Sequence, residues 1–551
     1  MKNLQTNLAA MHATSHPGAS LKPGRYIDEA LDLAFVARPA VPLAAPAQAR
    51  PVLPFVPRLA ALLGALLLSA CAAPAFDQPG VAVPAAFREP QMPAASPDQV
   101  RRAEDGTTWK TAQPAESQSR GEWWRAFHDV RLDGLIAQAT AMNQNLSVAA
   151  ARVRQARAIA GIAESARAPQ VGAGVGAQRT RVSPLEARQG EGTAVAPVTS
   201  YRASLSASYE VDLFGRVASS VAAARGDAGA AEASLRSVLL SLQADVAQTY
   251  FRLRGLDAEL ATLARTVGLR EENVRINSRR FEQGDIGEFD LARARTELAT
   301  VRADAIGLQR QRANAEHALA VLLGLPASSV SQPDDPLAMA ALPLIPAGLP
   351  SALLERRPDI ATAQRAMEAA NARIGVARSA MFPALTIGAD GGGVAGALAD
   401  VFKWSSRSWL LGAALSMPLI DGGRNRNNIV RSEAALEEAV ASYRQTVLTA
   451  FAEVEDNLAG LRILAQQTVE IDQALASARR SAGLAQKLYD AGRSSYLDLL
   501  DAQRNLAAVE RSAVQLRSDR AVTTVALIRA LGGGWDAQPG AGIAGANLAA
   551  R

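Results

Sequence analysis

Few side chains in this sequence have a type and spacing that could do chemistry, and the most informative is the single cysteine, Cys71. It closes the run Leu68-Ser69-Ala70-Cys71, behind an apolar stretch from Leu59 to Leu68 that follows Arg58. A basic flank, an apolar core of about ten residues and small residues before a cut site are the parts of a secretory signal. The four closing residues resemble a bacterial lipobox, in which the cysteine thiol is acylated and becomes the first residue of the mature protein. Ala72 rather than aspartate follows, which resembles the sorting signal of outer-membrane lipoproteins. The apolar run is too short to span a bilayer, and one thiol allows no intramolecular disulfide.

The remaining candidates for chemistry are sparse. Asp498 and Asp501 lie three residues apart, which places two carboxylates on one helical face. Of four histidines, His12 and His16 belong to the leader, and His128 and His317 are isolated, so no metal-ligand set is expected. Gly172-Ala-Gly-Val-Gly176 superficially suggests a nucleotide fingerprint, but it falls in a strand region and opens no helix. No phosphate loop of the G-x-x-x-x-G-K-[ST] type occurs. The sequence therefore predicts no enzyme, no cofactor and no metal, and any energy source must lie in a partner. The net charge of +5 is partly leader (Lys2, Lys22, Arg25, Arg38, Arg50, Arg58) and implies no nucleic acid.

The elements that must carry these residues follow from periodicity. Hydrophobic residues make up 49% of the 551, yet aromatics only 5%. Alanine supplies much of the apolar total, as in helices packed at close distance. The chain also repeats itself. Asp212-Leu-Phe-Gly-Arg216 falls on Ile420-Asp-Gly-Gly-Arg424. In the same register Gly284, Asp290-Leu291 and Leu323-Gly324 fall on Gly492, Asp498-Leu499 and Leu531-Gly532. Upstream, Pro169 meets Pro383 after a small shift, so a loop between them is longer in the first copy.

Each copy reads as helix, strand, strand, long helix, helix. Residues 131–168 and 350–382 show helical spacing and stop at Pro169 and Pro383. From Tyr201 to Asp212 every odd residue is apolar and every even one polar, and Trp409 to Leu419 puts its apolar residues on one face, with Leu410 as an exception. The strands before them, Val171–Arg179 and Leu385–Asp390, are heavy in glycine. Proline-free helical stretches over 217–282 and 425–490 follow. At 1.5 Å per residue each makes a rod of about 100 Å, and each reverses at a glycine turn. Alternation of this length suits a transmembrane strand, and Tyr201, Trp404 and Trp409 stand where an aromatic girdle would sit. An open sheet edge is not tolerated in lipid, and four strands cannot close, so several chains must share one barrel. Two, three or four copies would each close a barrel, and a conducting pore requires three or more.

Five motifs in order carry a family resemblance along nearly the whole mature chain: Trp123-Trp-Arg-Ala-Phe127, Glu210-Val-Asp-Leu-Phe-Gly-Arg216, Glu355-Arg-Arg-Pro-Asp-Ile360, Ser495-Tyr-Leu-Asp-Leu-Leu-Asp-Ala-Gln503 and Ala530-Leu-Gly-Gly-Gly-Trp535. The chain resembles the TolC/OprM (NodT-like) outer-membrane lipoproteins of tripartite efflux systems. The resemblance implies a mixed α+β membrane protein with a tandem-repeat TolC-like fold. Four β-strands per chain would contribute to a homotrimeric twelve-stranded barrel in outer-membrane lipid, and long periplasmic helices would form an α-barrel below it. It implies a periplasmic adaptor and an inner-membrane RND-type pump as partners, with passive efflux of drugs or other solutes as the function. A duct for type I protein secretion, of the same fold, is the alternative.

The resemblance also assigns roles. The periplasmic gate would comprise Leu497, Asp498 and Asp501, each carboxylate forming a ring of three about the axis. Gly284, Asp290, Gly492 and Tyr496 mark adaptor-docking tips, and Gly215, Arg216, Gly423 and Arg424 the hairpin-to-helix turns. Cys71 would be the lipidation site. The expected organisation is a leader and signal over 1–70, with the natural start near Val52 or Val56, and a lipid-anchored linker over 71–118. Efflux repeats follow over 119–327 and 349–536, separated by a linker at 328–348, with a tail over 537–551.

Overall fold

The repeated sequence folds into repeated elements of matched length. A computed structural model describes residues 121–188, 194–329 and 352–533, together with Phe76, residues 78–80, 83–84, Phe87, 101–102, 108–109, 342–343 and Ile345. Cys71 lies outside the described residues. Helices α1 (Val130–Met142) and α2 (Gln144–Ser165) lead into strands β1 (Gln170–Thr180) and β2 (Val198–Val211). Then come α3 (Arg216–Glu282) and α4 (Glu288–Leu322). The second copy runs through α5 (Ala352–Arg356), α6 (Pro358–Ser379), β3 (Ala384–Ala395), β4 (Arg407–Ser416), α7 (Arg424–Asp490) and α8 (Tyr496–Ala530). Both rods have 67 residues, both return helices 35, and α2 and α6 both 22, so the duplication survives as equal geometry.

Two expected helices are broken, each for a local reason. At Asn143 the backbone is extended, its side chain accepts from Leu146 N, and its amide donates to the Leu322 carbonyl at 2.8 Å. The cap is worth more there than one more turn. The other break falls at Arg357-Pro358, with proline at the first helical position. Arg357 is buried and explains its motif: it donates to Asp359, to Glu453 of α7 at 2.7 Å and to the Ala530 carbonyl at 2.9 Å. One guanidinium thus joins three helices.

The four long strands form one antiparallel sheet in the order β1-β2-β3-β4. Register pairs Ser206 with Gly172 and Asp390, and Asp390 with Leu410. Residues opposite one another share a face, so one face collects Gly172, Gly174, Ser204, Ser206, Ser208 and Asp390. The other collects Val175, Leu205, Tyr209, Ile387, Trp409 and Leu411. The third strand outruns its expected end at Asp390 by crossing Gly391-Gly392-Gly393, residues with no alternation to read. A Cβ on Gly392 would lie 2.1 Å from the Ala203 carbonyl oxygen, so only glycine fits that pairing. The fourth strand begins earlier and ends at Ser416, leaving Met417, Leu419 and Ile420 beyond it and exposed.

Packing is dense below the sheet. Trp123, Trp124 and Phe127 join Leu132, Ile136, Tyr250, Phe251 and Ile528 in one core between α1, α3, α4 and α8. Met367, Tyr443, Val447 and Leu527 anchor a second core between α6, α7 and α8. Small residues permit the approach: a Cβ on Gly226 would come within 2.9 Å of the Ala369 Cβ. Among the described residues no helix is long and apolar enough to cross a membrane.

Gly284 and Gly324 both close a helix at positive φ, +79° and +73°, but a Cβ on Gly284 meets open space, whereas one on Gly324 would lie 2.4 Å from the Met142 carbonyl oxygen. Alanine at Gly284 should cost about 1–2 kcal/mol of left-handed strain. At Gly324 overpacking adds about 1–3 kcal/mol. Apparent melting temperatures of purified channel should therefore fall further for Gly324→Ala than for Gly284→Ala.

Candidate functional site

Two places concentrate constructed polar geometry: the turns where strands become helices, and the tips where the rods reverse. At the first turn Gly215 takes φ +71°, and the Asp212 carboxylate accepts from Val217 N at 3.0 Å and Ala218 N at 2.7 Å. At its repeat Gly423 takes φ +87°, and Asp421 accepts from Gly423 N and Asn425 N. A carboxylate at each helix start satisfies amides that lack helical partners. Arg216 donates through two nitrogens to Glu210 at the end of β2, which fixes strand against rod. Arg424, at the equivalent place, opens α7.

The tips share a closing pattern. Gly284 N donates to Phe281 O and Asp285 N to Arg280 O; Gly492 N donates to Tyr489 O and Arg493 N to Leu488 O. This is a glycine-terminated helix end. The restarts differ. Gly287 caps α4 without a side chain, whereas Ser495 caps α8 in a reciprocal box with Asp498. The Asp498 carboxylate accepts from Ser495 N, Ser495 Oγ and Ser494 Oγ at 3.1, 2.8 and 2.9 Å, and these bonds hold it below the usual carboxylate range. Asp501 is 61% exposed, with Arg504 at 3.7 Å. Leu497 is exposed as well. The structure therefore separates two carboxylates that spacing alone makes equivalent: Asp498 serves its own helix, and Asp501 projects outward. Asp290, the counterpart of Asp498, donates its backbone N–H to Gly287 O.

Between the coils lies a link that spacing did not reveal. Arg504 of α8 makes a two-nitrogen pair with Glu297 of α4, and the guanidinium holds the Glu297 carboxyl below the usual glutamate range. Arg270 of α3 donates to Gln503 at 2.5 Å, and Asn273 donates to the same oxygen at 3.1 Å. Arg280 donates to the Tyr489 hydroxyl at 2.8 Å and sits over its ring. Tyr496 is buried with Ala294 and Leu500, and burial pushes its phenol up. Its ring faces into that cluster. The Tyr496 hydroxyl, the Arg270 Nε and both polar atoms of Asn277 are buried without a hydrogen-bond partner. Burial without a paired carboxylate draws the Arg270 guanidinium down from its ordinary value. No cluster of three His, Cys, Asp or Glu able to hold a metal occurs among the described residues.

A sheet with two open edges, set on paired rods, has known counterparts. A model of the outer membrane efflux protein family matches residues 135–325 and 349–533. The chain belongs to that family. It is 33% identical over 478 residues to the pyoverdine export outer membrane protein OpmQ of Pseudomonas putida, covering 86% of this chain and 96% of that protein. It is 31% identical over 454 residues to the cation efflux system protein CusC of Escherichia coli, covering 82% and 95%. Among solved structures, a membrane protein from Pseudomonas aeruginosa superposes with a TM-score of 0.74 at 31% identity, over 85% of this chain and 98% of that one. The open state of the Neisseria gonorrhoeae MtrE outer membrane channel gives 0.69 at 28%, over 84% and 98%. Outer membrane efflux proteins are channels and not enzymes. The chain has the TolC-like fold and is the outer-membrane channel component of an efflux pump, with its sheet in the outer membrane and its rods reaching into the periplasm.

An orphaned buried polar group costs about 1–3 kcal/mol. Asn277 is 1% exposed with neither polar atom paired, and leucine has a similar volume. Asn277→Leu should raise the apparent melting temperature of the channel, whereas Leu500→Asn, in the buried apolar cluster with Ala294 and Tyr496, should lower it by several degrees.

Proposed function

We propose that three copies of this chain close a twelve-stranded barrel and, beneath it, a helical duct through which an inner-membrane RND-type pump expels small solutes. The observation that carries this reading is the four-stranded sheet with unpaired outer edges on β1 and β4, mounted on rods of 67 residues. Unpaired backbone groups in hydrocarbon cost several kcal/mol each, so each edge needs a neighbour's edge. Three copies give a lumen wider than side chains fill, and the glycine and serine face suits that lumen. The Arg202–Asp390 pair, at 2.9 Å, lies on the same face.

The periplasmic end is the gate in this reading. Leu497 and Asp501 project toward the threefold axis. The Arg504–Glu297 and Arg270–Gln503 contacts hold the inner coil, α7 and α8, against the outer one. Asp498 acts indirectly, by capping the helix that presents the other two. A periplasmic adaptor docks at the turns around Gly284, Asp290 and Gly492, and Tyr496 supports the second of these from inside. Acylated Cys71 anchors each chain to the inner leaflet. The relatives' names cover pyoverdine, solvents and cations, which favours solute efflux over the protein-secretion duct and leaves the cargo to experiment. A strain lacking the gene should become sensitive to several unrelated dyes, detergents and antibiotics. Unchanged sensitivity with loss of a secreted protein would establish the secretion duct instead.

A gate tied in this way responds to acid. Because the folded-state value of Glu297 is depressed, its pair with Arg504 is complete above the ordinary glutamate value of 4.5 and is lost as pH falls through the lower folded value. Basal conductance of the purified channel in a planar bilayer should stay flat on acidification to that point and rise only below it. Glu297→Gln should conduct several-fold more at neutral pH and lose the acid step, and Asp501→Ala should also raise basal conductance.

A further inference from the structure

The β3–β4 connection, residues 396–406, leaves the sheet at the end opposite the rods, which the membrane reading places at the outer leaflet. It is a constructed segment. Turns at Leu398–Asp400 and Trp404–Ser406 satisfy its backbone, and the Ser406 hydroxyl donates to the Asp400 carbonyl at 2.7 Å. Val401 is buried against Gly393, where an added Cβ would meet the Val401 carbonyl oxygen at 1.9 Å. A segment this ordered nevertheless presents its large apolar side chains outward: Leu398 is 62% exposed, Phe402 81% and Trp404 79%.

Its position relative to the sheet is set by Arg407. By alternation Arg407 shares the apolar face with Trp409, Leu411 and Leu415, and its guanidinium lies over the Trp404 ring at 3.9 Å. Trp404 therefore sits on the side of the sheet that meets lipid. Lys403, paired with Asp400 at 2.5 Å, and Arg407 place cations beside these apolar groups. Apolar side chains rimmed by cations, continuous with a lipid-facing band, match the boundary between acyl chains and phosphate-bearing headgroups.

We propose that this connection is a lipid wedge: Leu398, Phe402 and Trp404 insert into the outer leaflet of the membrane and hold the barrel at a fixed depth. The proposal rests on the barrel reading, so its test must separate the two. Phe402→Cys and Trp409→Cys, each in the mature protein, would be spin-labelled in reconstituted trimers in phospholipid vesicles, with Leu185→Cys in the β1–β2 connection as a third site. Collision with oxygen, which partitions into lipid, is compared with collision with a water-soluble nickel chelate. The wedge predicts an oxygen-dominated label at residue 402 as at 409, and a chelate-dominated one at 185. A chelate-dominated label at 402 with an oxygen-dominated one at 409 would overturn the wedge and spare the barrel. A label at 402 shielded from both reagents would overturn it too, by placing the loop against the neighbouring subunit. Chelate access at 409 would overturn the barrel reading itself.

Discussion

The structure depends on one constraint: a backbone amide or carbonyl placed in hydrocarbon must find a hydrogen-bond partner. Within one chain, β2 and β3 are satisfied on both sides, and β1 and β4 on one. That deficit is what converts a four-stranded sheet into a component of an assembly. It also explains why the sheet's apolar face can remain uncovered by the helices, since lipid takes the place of a protein core. The polar and apolar faces are separated by nothing more than the period of the strand. Each strand leads into or out of a helix at the same end, so the membrane requirement passes directly to the rods.

The rods meet a second requirement with little chemistry. Their length comes from the absence of proline and their closeness from alanine and glycine. At Gly226 against Ala369, and at Gly255, where a Cβ would meet the Ser518 hydroxyl oxygen at 2.4 Å, neighbouring helices approach nearly to backbone contact. Long walls of thin side chains need ties, and these are charged. Glu259 with Arg511 and Gln515, and Arg357 with Glu453, cross between helices far apart in sequence. Such pairs are exchangeable where they are half-exposed and firm where they are buried. Arg357 belongs to the second kind and Arg504 to the first.

Much of this was legible in the residues, because period and repetition are written locally. The alternation from Tyr201 to Asp212 marks its strand, and the proline-free stretches mark both rods to within a residue or two of Arg216, Glu282, Arg424 and Asp490. What escaped was set by contacts across the fold. Asn143 breaks a helix because Leu322, distant in sequence, offers it a carbonyl. The extension of β3 through Gly391-Gly392-Gly393 follows from Ala203 on the adjacent strand. At the tip, an i, i+3 spacing shows that Asp498 and Asp501 share a face, but it does not show that Ser494 and Ser495 occupy the first of them. The Glu297–Arg504 tie joins residues on different hairpins, and no local pattern announces it. The capping box itself was readable, as serine followed three residues later by an acidic residue, and it could have separated the two carboxylates.

The two copies of one unit match in their lengths and differ at their ends. Lengths of rod, return helix and closing turn are equal, so the copies build one wall without mismatch. They diverge where the wall ends. The first tip restarts its helix at Gly287 with no side-chain cap, and Arg293 stands where the second has Asp501. The second tip spends Ser495 and Asp498 on securing its own helix start. In the proposed gate, a helix secured within its own chain presents Asp501 and Leu497 to the symmetry axis in a fixed orientation, while the half-exposed Arg504 ties it breakably to Glu297. Rigid presentation and a reversible tether are separate requirements of a closed end. In that proposal the second copy meets the first requirement, and the first copy supplies the anchor for the second.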